Sequence, residues 1–416
     1  MNKNIKLAVA GAVLAMSASA VNAGIIIPAG EWTLDINGNV NAFSIWQKSD
    51  HANTITGGVV TQKDALGEKN TQGINTGLLP SWLGFTGKTR QNDLDVEFTI
   101  SFQPGVSDNH AHGDITQPIL NRQTYVSFGD KSWGTVKLGK DLGIFAADAI
   151  LNDMTLLGVG TASPGGLPST WNGSGSGVNT TIGGIGTGYI YAAWKGQIAY
   201  STPNFNGFQA TVAITNPNQG LHLSGTSAAA TQLYQDRHGL EAKASYAFSG
   251  DVVSGKVWTS GATYKTKSLI DTSTLTNYEH TASVVDLGAT ANFGNMGLTG
   301  YYYTGEGVGT TAMFIQAVNP TTGAKRDSDG GYVQATYILP TKTKVGINYG
   351  KSNLDLAAGE TSAGTVSHNK RMTVGAYHPL TKHLNLVAEW SDTEAEAHGG
   401  TKNEATSIST GAIMFF

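Results

Sequence analysis

The chain has 416 residues, 54 of them glycine, and only 13% are charged, about half the share of an ordinary soluble domain. With 26 basic against 30 acidic residues it lacks the basic excess of a nucleic-acid binder, so no nucleic-acid partner is expected. The absence of cysteine excludes a disulfide scaffold and any thiolate metal site.

Residues 1–23 read as a secretory signal peptide. Lys3 and Lys6 give the basic start, Leu7 to Met16 the short apolar core, and Val21-Asn22-Ala23 the small residues before a cleavage site, leaving Gly24 to begin the mature chain 24–416. Ten apolar residues cannot span a bilayer as a helix, and no later stretch approaches the roughly 18 that would. An exported protein remains, either free or membrane-embedded through strands.

Periodicity decides between these. Leu94 to Phe102 and Leu240 to Phe248 alternate apolar and polar without a fault, so one face meets something apolar and the other is wet. The same rhythm predicts sixteen strands, near 31–47, 79–90, 94–104, 121–129, 134–142, 196–203, 206–215, 238–249, 252–266, 280–293, 296–304, 330–339, 342–351, 369–379, 382–392 and 405–416. Short and long connections alternate strictly between them. The short ones, such as Gln91-Asn92-Asp93, Gly250-Asp251 and Gly294-Asn295, carry the residues of tight hairpins. The long ones lie near 48–78, 105–120, 143–195, 216–237, 267–279, 305–329, 352–368 and 393–404. A soluble β-sandwich would alternate too, but it would carry more surface charge and would not keep one rim so uniformly short. The pattern predicts an all-β fold, a 16-stranded antiparallel transmembrane β-barrel.

Several segments then resemble a known family. Arg122-Gln123-Thr124-Tyr125-Val126-Ser127-Phe128 followed by Trp133 to Lys140 is similar to strand four, turn and strand five of the general Gram-negative porins. Gln197 to Phe208 resembles their hairpin leaving the pore loop, Tyr377 to His383 their late turn, and Gly411 with the terminal Phe416 their last strand. The resemblance implies a homotrimer in the bacterial outer membrane, among membrane lipid and lipopolysaccharide. It also implies a water-filled channel for ions and small hydrophilic solutes, without cofactor, and a third long loop folded inward. That loop is 143–195, the longest, with an apolar first part bearing Asp148 and Asp153 and a glycine-rich part, 158–188, read as an insertion near the mouth. In this family a C-terminal aromatic residue, here Phe416, is the signal for assembly.

Register follows from the apolar face. It points Trp82, Thr86 and Lys88 into the lumen, places Tyr125 toward lipid and turns Arg122 inward. Asp35, Asp95, Glu97, Glu241, Asp286, Glu389, Lys137, Lys243, Lys344 and Arg371 line the wall. The expected constriction sets Asp148 and Asp153 on the loop against Arg122, Lys88 and Lys137 on the wall, with Trp82 nearby. The family usually has basic residues where this chain has Trp82 and Thr86, and the chain holds five arginines in all, so weak selectivity or a mild cation preference is expected.

Other constellations are weaker. His110-Ala111-His112-Gly113-Asp114 lacks a third distant metal ligand, so no metal is expected. Asp327-Ser328-Asp329-Gly330 begins like a calcium loop without its later Glu. The outward His378 has no serine partner, so no enzyme activity is expected. An adhesin or structural barrel with ligand-binding surface loops is the alternative.

Overall fold

The computed structural model describes residues 24–60, 66–106, 119–161, 180–217, 235–271 and 276–416. The signal-peptide segment 1–23 and the His110–His112 pair lie outside the described residues.

Sixteen strands close into one antiparallel barrel: β2 (Trp32–Ser49), β4 (Trp82–Gln91), β5 (Leu94–Gln103), β6 (Leu120–Asp130), β7 (Gly134–Leu142), β8 (Trp194–Ser201), β9 (Phe208–Thr215), β10 (Gly239–Ser249), β11 (Ser254–Asp271), β12 (Thr276–Phe293), β13 (Met296–Glu306), β14 (Asp327–Ile338), β15 (Lys344–Leu354), β16 (Val366–Pro379), β17 (Leu384–Ala397) and β18 (Lys402–Phe415). Each pairs with the next, and β18 returns to β2 with Phe415 opposite Asn39 and Ala405 opposite Ser49. Phe416 adds two more backbone bonds, exchanging N–H and carbonyl with Gly38 at 2.8 and 3.0 Å. Closure leaves no strand edge unpaired in lipid, where an unsatisfied backbone group is costly.

Two strands were not expected. β1 (Ile25–Ala29) turns back on the start of β2, with Ile25 opposite Ile36, and β3 (Asn70–Asn75) pairs with the far end of β2 inside the first long loop. Both add to β2, whose length of 18 residues exceeds what its barrel neighbours cover. The short hairpins follow the turn residues: Asn92 and Asp93 take φ of 50° and 63°, the left-handed pair of a two-residue turn whose twist matches the strands.

Alternation sorts the side chains. Val126 and Phe128, Ile198 and Tyr200, Val285 and Leu287, and Ile408 and Met414 stand exposed on the outer face. Ser127, Gln197, Asp286 and Ser407 point inward and are buried. The inside is nevertheless not all wet. The largest apolar cluster joins the first loop (Ile55, Val59, Leu78), the third (Phe145, Ile150, Leu156, Ile185, Ile190) and the sixth, 307–326 (Val308, Phe314, Ile315), to wall residues Trp258, Tyr264, Tyr301 and Tyr332. The core of this barrel is therefore made of loops packed against the lumen face.

Candidate functional site

The third loop runs 143–193, since β8 begins at Trp194. Its first part forms a short helix α1 (Ala147–Asn152) and a 3-10 turn (Met154–Leu157). Asp153 caps that turn, accepting the Thr155 N–H at 2.9 Å. The described remainder, 180–193, is also inside the barrel: Ile182, Ile185, Tyr189 and Ile190 are buried, which corrects that part of the 158–188 reading, while 162–179 lie outside the described residues. Apolar residues spaced among its glycines find the wall tyrosines, Tyr189 packing edge-on against Tyr332 at 5.8 Å.

Two wall carboxylates fasten this segment. Glu241 Oε2 accepts the N–H groups of Ile144 and Phe145, and Glu389 Oε2 those of Val159 and Gly160. Tyr332 donates to the Ala149 carbonyl at 2.8 Å, and Gln334 bonds Asn152 and Met154. Close approach needs glycine at 158, where a Cβ would lie 2.1 Å from Glu389 Oε1.

The acidic loop residues meet cations, but not those the sequence suggested. Asp148 pairs with Lys243 at 2.8 Å and Lys256 at 2.5 Å. Burial raises the Asp148 carboxyl, yet the two ammonium groups more than offset it and hold it below the usual range. Asp153 accepts from Tyr189 at 2.9 Å and Arg371 at 3.3 Å. Burial first, and the Asp153 charge second, push the Tyr189 hydroxyl far up. Lys88 pairs with Glu97 at 3.4 Å, Lys137 with Asp141, and Arg90 with Asp95 at 2.7 Å. The loop acids and the β4–β7 cations thus find opposite charge close by, each on its own side.

Arg122 is not among the wall cations. The register shifts at Ser101 and Phe102, which face Gln123 and Asn121, so Arg122 is the extra residue of a β-bulge outside the inward series Gln123, Tyr125, Ser127. Tyr125, expected toward lipid, points in: its hydroxyl donates to Glu97 at 3.2 Å and its ring lies under Lys137. An aromatic ring with a polar end fits either face, and neighbouring charge decides.

The other wall residues keep their predicted faces. Lys344 lies over the Tyr377 ring at 5.1 Å, and Asp286 accepts from Ser260 and Tyr301. Trp82 lies on the inward side near Gly84 and Asn37, its indole N–H without a partner. Tyr301 and Tyr303 are inward but covered by the loops. Lys88, Lys137 and Glu97 on one wall and Lys243 and Lys256 on the other remain in contact with solvent.

Sequence reading missed three elements. Lys195 forms a wholly buried pair with Glu241 at 2.7 Å. Lys256, in the inward series with Trp258 and Ser260, is the second partner of Asp148. The sixth loop enters the barrel, where Phe314 packs against Tyr264 and His280, the Tyr191 backbone N–H donates to the Thr311 carbonyl at 2.8 Å, and Arg326 forms a buried two-point bond with Glu360 of the seventh loop.

A model of the Gram-negative porin family matches residues 8–398. No curated protein sequence matches the chain significantly. Among solved structures, the outer membrane channel DcaP of Acinetobacter baumannii is 15% identical with a TM-score of 0.66, covering 95% of this chain and 100% of its own. OmpT, an outer membrane protein of Vibrio cholerae, is 14% identical with a TM-score of 0.56 over 94% and 99%. OmpF of Salmonella typhi, in complex with daunomycin, is 16% identical with a TM-score of 0.56 over 93% and 100%. At these identities the likeness is one of fold.

Proposed function

The chain belongs to the Gram-negative porin family, and from that premise we propose a weakly selective channel for passive diffusion of ions and small hydrophilic solutes. The protein is an outer-membrane porin, a channel and not an enzyme. Its selectivity is the open quantity. The observation that carries the reading is charge pairing in the lumen. Lys88 with Glu97, Lys137 with Asp141, Lys195 with Glu241 and Arg371 with Asp153 each neutralise locally, and Asp148 offsets one of the two charges of Lys243 and Lys256. A pore biases ions through fixed charge that water screens poorly, and paired charges leave a small net field.

In this reading the eyelet is bounded by the loop segment that holds Asp148 with Lys243 and Lys256, and by the wall bearing Lys88, Glu97 and Lys137. A mild cation preference fits the thinned basic side at Trp82 and Thr86. Reversal potentials across a planar bilayer in a salt gradient test this: values near zero or slightly cation-selective are expected, and a clear anion preference overturns it.

Three further assignments belong to the same reading. The mature chain is 24–416 after removal of 1–23, which N-terminal sequencing of the exported protein checks. Phe416 directs assembly, its backbone already built into the closing strand pair. Three copies associate through small outward residues near that seam, Gly38, Ala42 and Ala412. One OmpT structure is of a trimer form, and native mass measurement of the purified protein decides the matter here.

A further inference from the structure

Little holds β1 to the barrel. All five of its residues are exposed, and among the described residues it pairs only with Trp32 to Ile36 of β2. β4 takes the other edge of that stretch, from Thr33 to Asn39. β1 therefore lies on the edge that β2 shares with β18, running on from where Phe416 stops against Gly38. Short exposed terminal strands fray unless something ties them down.

The residue just before β1 sits against a carboxylate. A Cβ on Gly24 would collide with Asp35 Oδ1 and lie 3.0 Å from the carboxyl carbon, so the carboxylate fills the space in front of Gly24 and glycine is required there. The Gly24 nitrogen, roughly 2.5 Å from that Cβ position, is therefore within about 5 Å of Oδ1. Asp35 Oδ1 is shut off from solvent and accepts no hydrogen bond. A carboxylate oxygen with neither water nor a donor is costly. The neighbouring inward cation, Lys88, is already held by Glu97 at 3.4 Å. A positive donor on the Gly24 side is what this carboxylate lacks.

We propose that cleavage between Ala23 and Gly24 supplies that donor, the new α-ammonium of Gly24 pairing with Asp35 and fastening β1 to the barrel. The proposal rests on the reading of 24–416 as the mature chain. Hydrolysis adds water across the peptide bond: Ala23 leaves as a carboxylate, and the freed Gly24 amine takes up a proton near neutral pH. Before cleavage the same nitrogen is an uncharged amide with one N–H; afterwards it carries a charge and three donors. Removal of the leader thus completes the join between β1 and β2 as well as releasing the chain. The Phe416 carboxylate, on the same edge of β2, is the competing partner. One of its oxygens already accepts the Gly38 N–H at 2.8 Å, whereas Asp35 Oδ1 accepts nothing.

The test uses the full exported protein in detergent. Its intact mass first fixes the starting residue; a start other than Gly24 removes the mature-chain reading and this proposal with it. Amines are then labelled with an acylating ester near neutral pH and read by peptide mass spectrometry, with the exposed Lys131 and Lys382 as internal references. An amine reacts only after shedding its proton, and a carboxylate in contact holds that proton. The Gly24 α-amine is therefore expected to label about tenfold more slowly in the wild type than in Asp35→Asn. Gly24→Ala, whose methyl group would push the carboxylate aside, is expected to label as fast as Asp35→Asn, and it serves alone if Asp35→Asn does not assemble. Amide hydrogen exchange across 25–29 should quicken in both variants. A Gly24 start with equal labelling in wild type and variants overturns the pairing and leaves the mature-chain reading intact. Slow labelling that persists in both variants assigns the ammonium to the Phe416 carboxylate and overturns it as well. Unchanged exchange in β1 overturns the fastening.

Discussion

Glu241 and Glu389 grip opposite ends of one loop segment with the same set of bonds. In each, Oε2 accepts two consecutive backbone N–H groups, at 2.5 and 2.9 Å for Glu241 and at 2.8 Å twice for Glu389. In each, Oε1 accepts a tyrosine hydroxyl, from Tyr264 and from Tyr377. Only Glu241 also holds a buried ammonium, Lys195. Replacing Glu389 by Ala leaves two amides and a hydroxyl unsatisfied, at about 1–3 kcal/mol for each group that finds no water. Glu241→Ala in addition strands a buried charge, about 3–5 kcal/mol, and should be the more destabilising of the two. Thermal unfolding in detergent is expected to rank them so, and both should raise single-channel current noise as the loop loosens. Gly158→Ala, whose Cβ would meet the Glu389 carboxylate, should behave like Glu389→Ala. Quiet channels in all three would remove the clamp from the account.

Strand order and loop rhythm were readable because lipid outside and water inside impose period two on every strand, and hairpin residues mark the short rim. Thus β7 falls on Gly134–Leu142 as predicted. Pairing inside the lumen was not readable, because it joins residues far apart in sequence. Asp148 lies 95 positions before Lys243 and 108 before Lys256, and nothing local couples them. Tyr125 was misdirected because an aromatic ring counts as apolar until its Glu97 partner is known. The sixth loop did carry a signal. Val308, Met313, Phe314, Ile315, Ala317 and Val318 are too apolar for a segment in water, and all are buried.

Asp148 should set the sign of selectivity. It is the only carboxylate in an ion pair with the solvent-facing Lys243 and Lys256 among the described residues. Asp148→Asn leaves both ammonium groups uncompensated, so reversal potentials should move toward anions. The pH dependence has a definite sign. The folded carboxyl titrates below its unfolded value of about 3.9, so its charge and its stabilising contribution are present above that pH and are lost as pH falls through the lower folded value. The difference between wild type and Asp148→Asn is therefore expected to stay constant from pH 8 to about 4 and to shrink only in stronger acid. A difference that fades near pH 6 would contradict this assignment.

Trp82 fills an inward position of β4 with an unsatisfied indole N–H, in register with Asn39 of β2. Trp82→Arg places a permanent cation on the wall that also carries Lys88 and, across the pair, Glu97. Anion permeability should rise, and the shift should diminish at high salt, where fixed charge is screened over about 3 Å at 1 M. Unchanged reversal potentials at low salt would put Trp82 outside the narrow part of the pore.

The sixth loop should limit conductance as much as the third. Phe314 lies 5.5 Å from Tyr264 and 6.2 Å from His280, and the strand-like contact of Tyr191 with Ala312 ties the two loops together. Arg326 and Glu360 fix the loop base to the seventh loop with both side chains almost fully covered. The Arg326 hydrogen bond holds the Glu360 carboxyl below its usual range, so the latch stays ionised through mildly acid conditions. Phe314→Ala removes a buried ring at a cost of about 3–5 kcal/mol to loop packing, while the barrel wall keeps its full set of backbone bonds. A shortened loop lacking 310–317 should therefore fold, conduct more per channel and keep the parent's ion preference, because the pairs around Asp148 are untouched. The chain has no cysteine, so Tyr191→Cys with Ala312→Cys gives a single controllable crosslink between the loops. Oxidation should suppress current fluctuations without lowering mean conductance if the sixth loop is seated in the open channel. A fall in mean conductance on oxidation would mean instead that this loop leaves the lumen when the pore conducts.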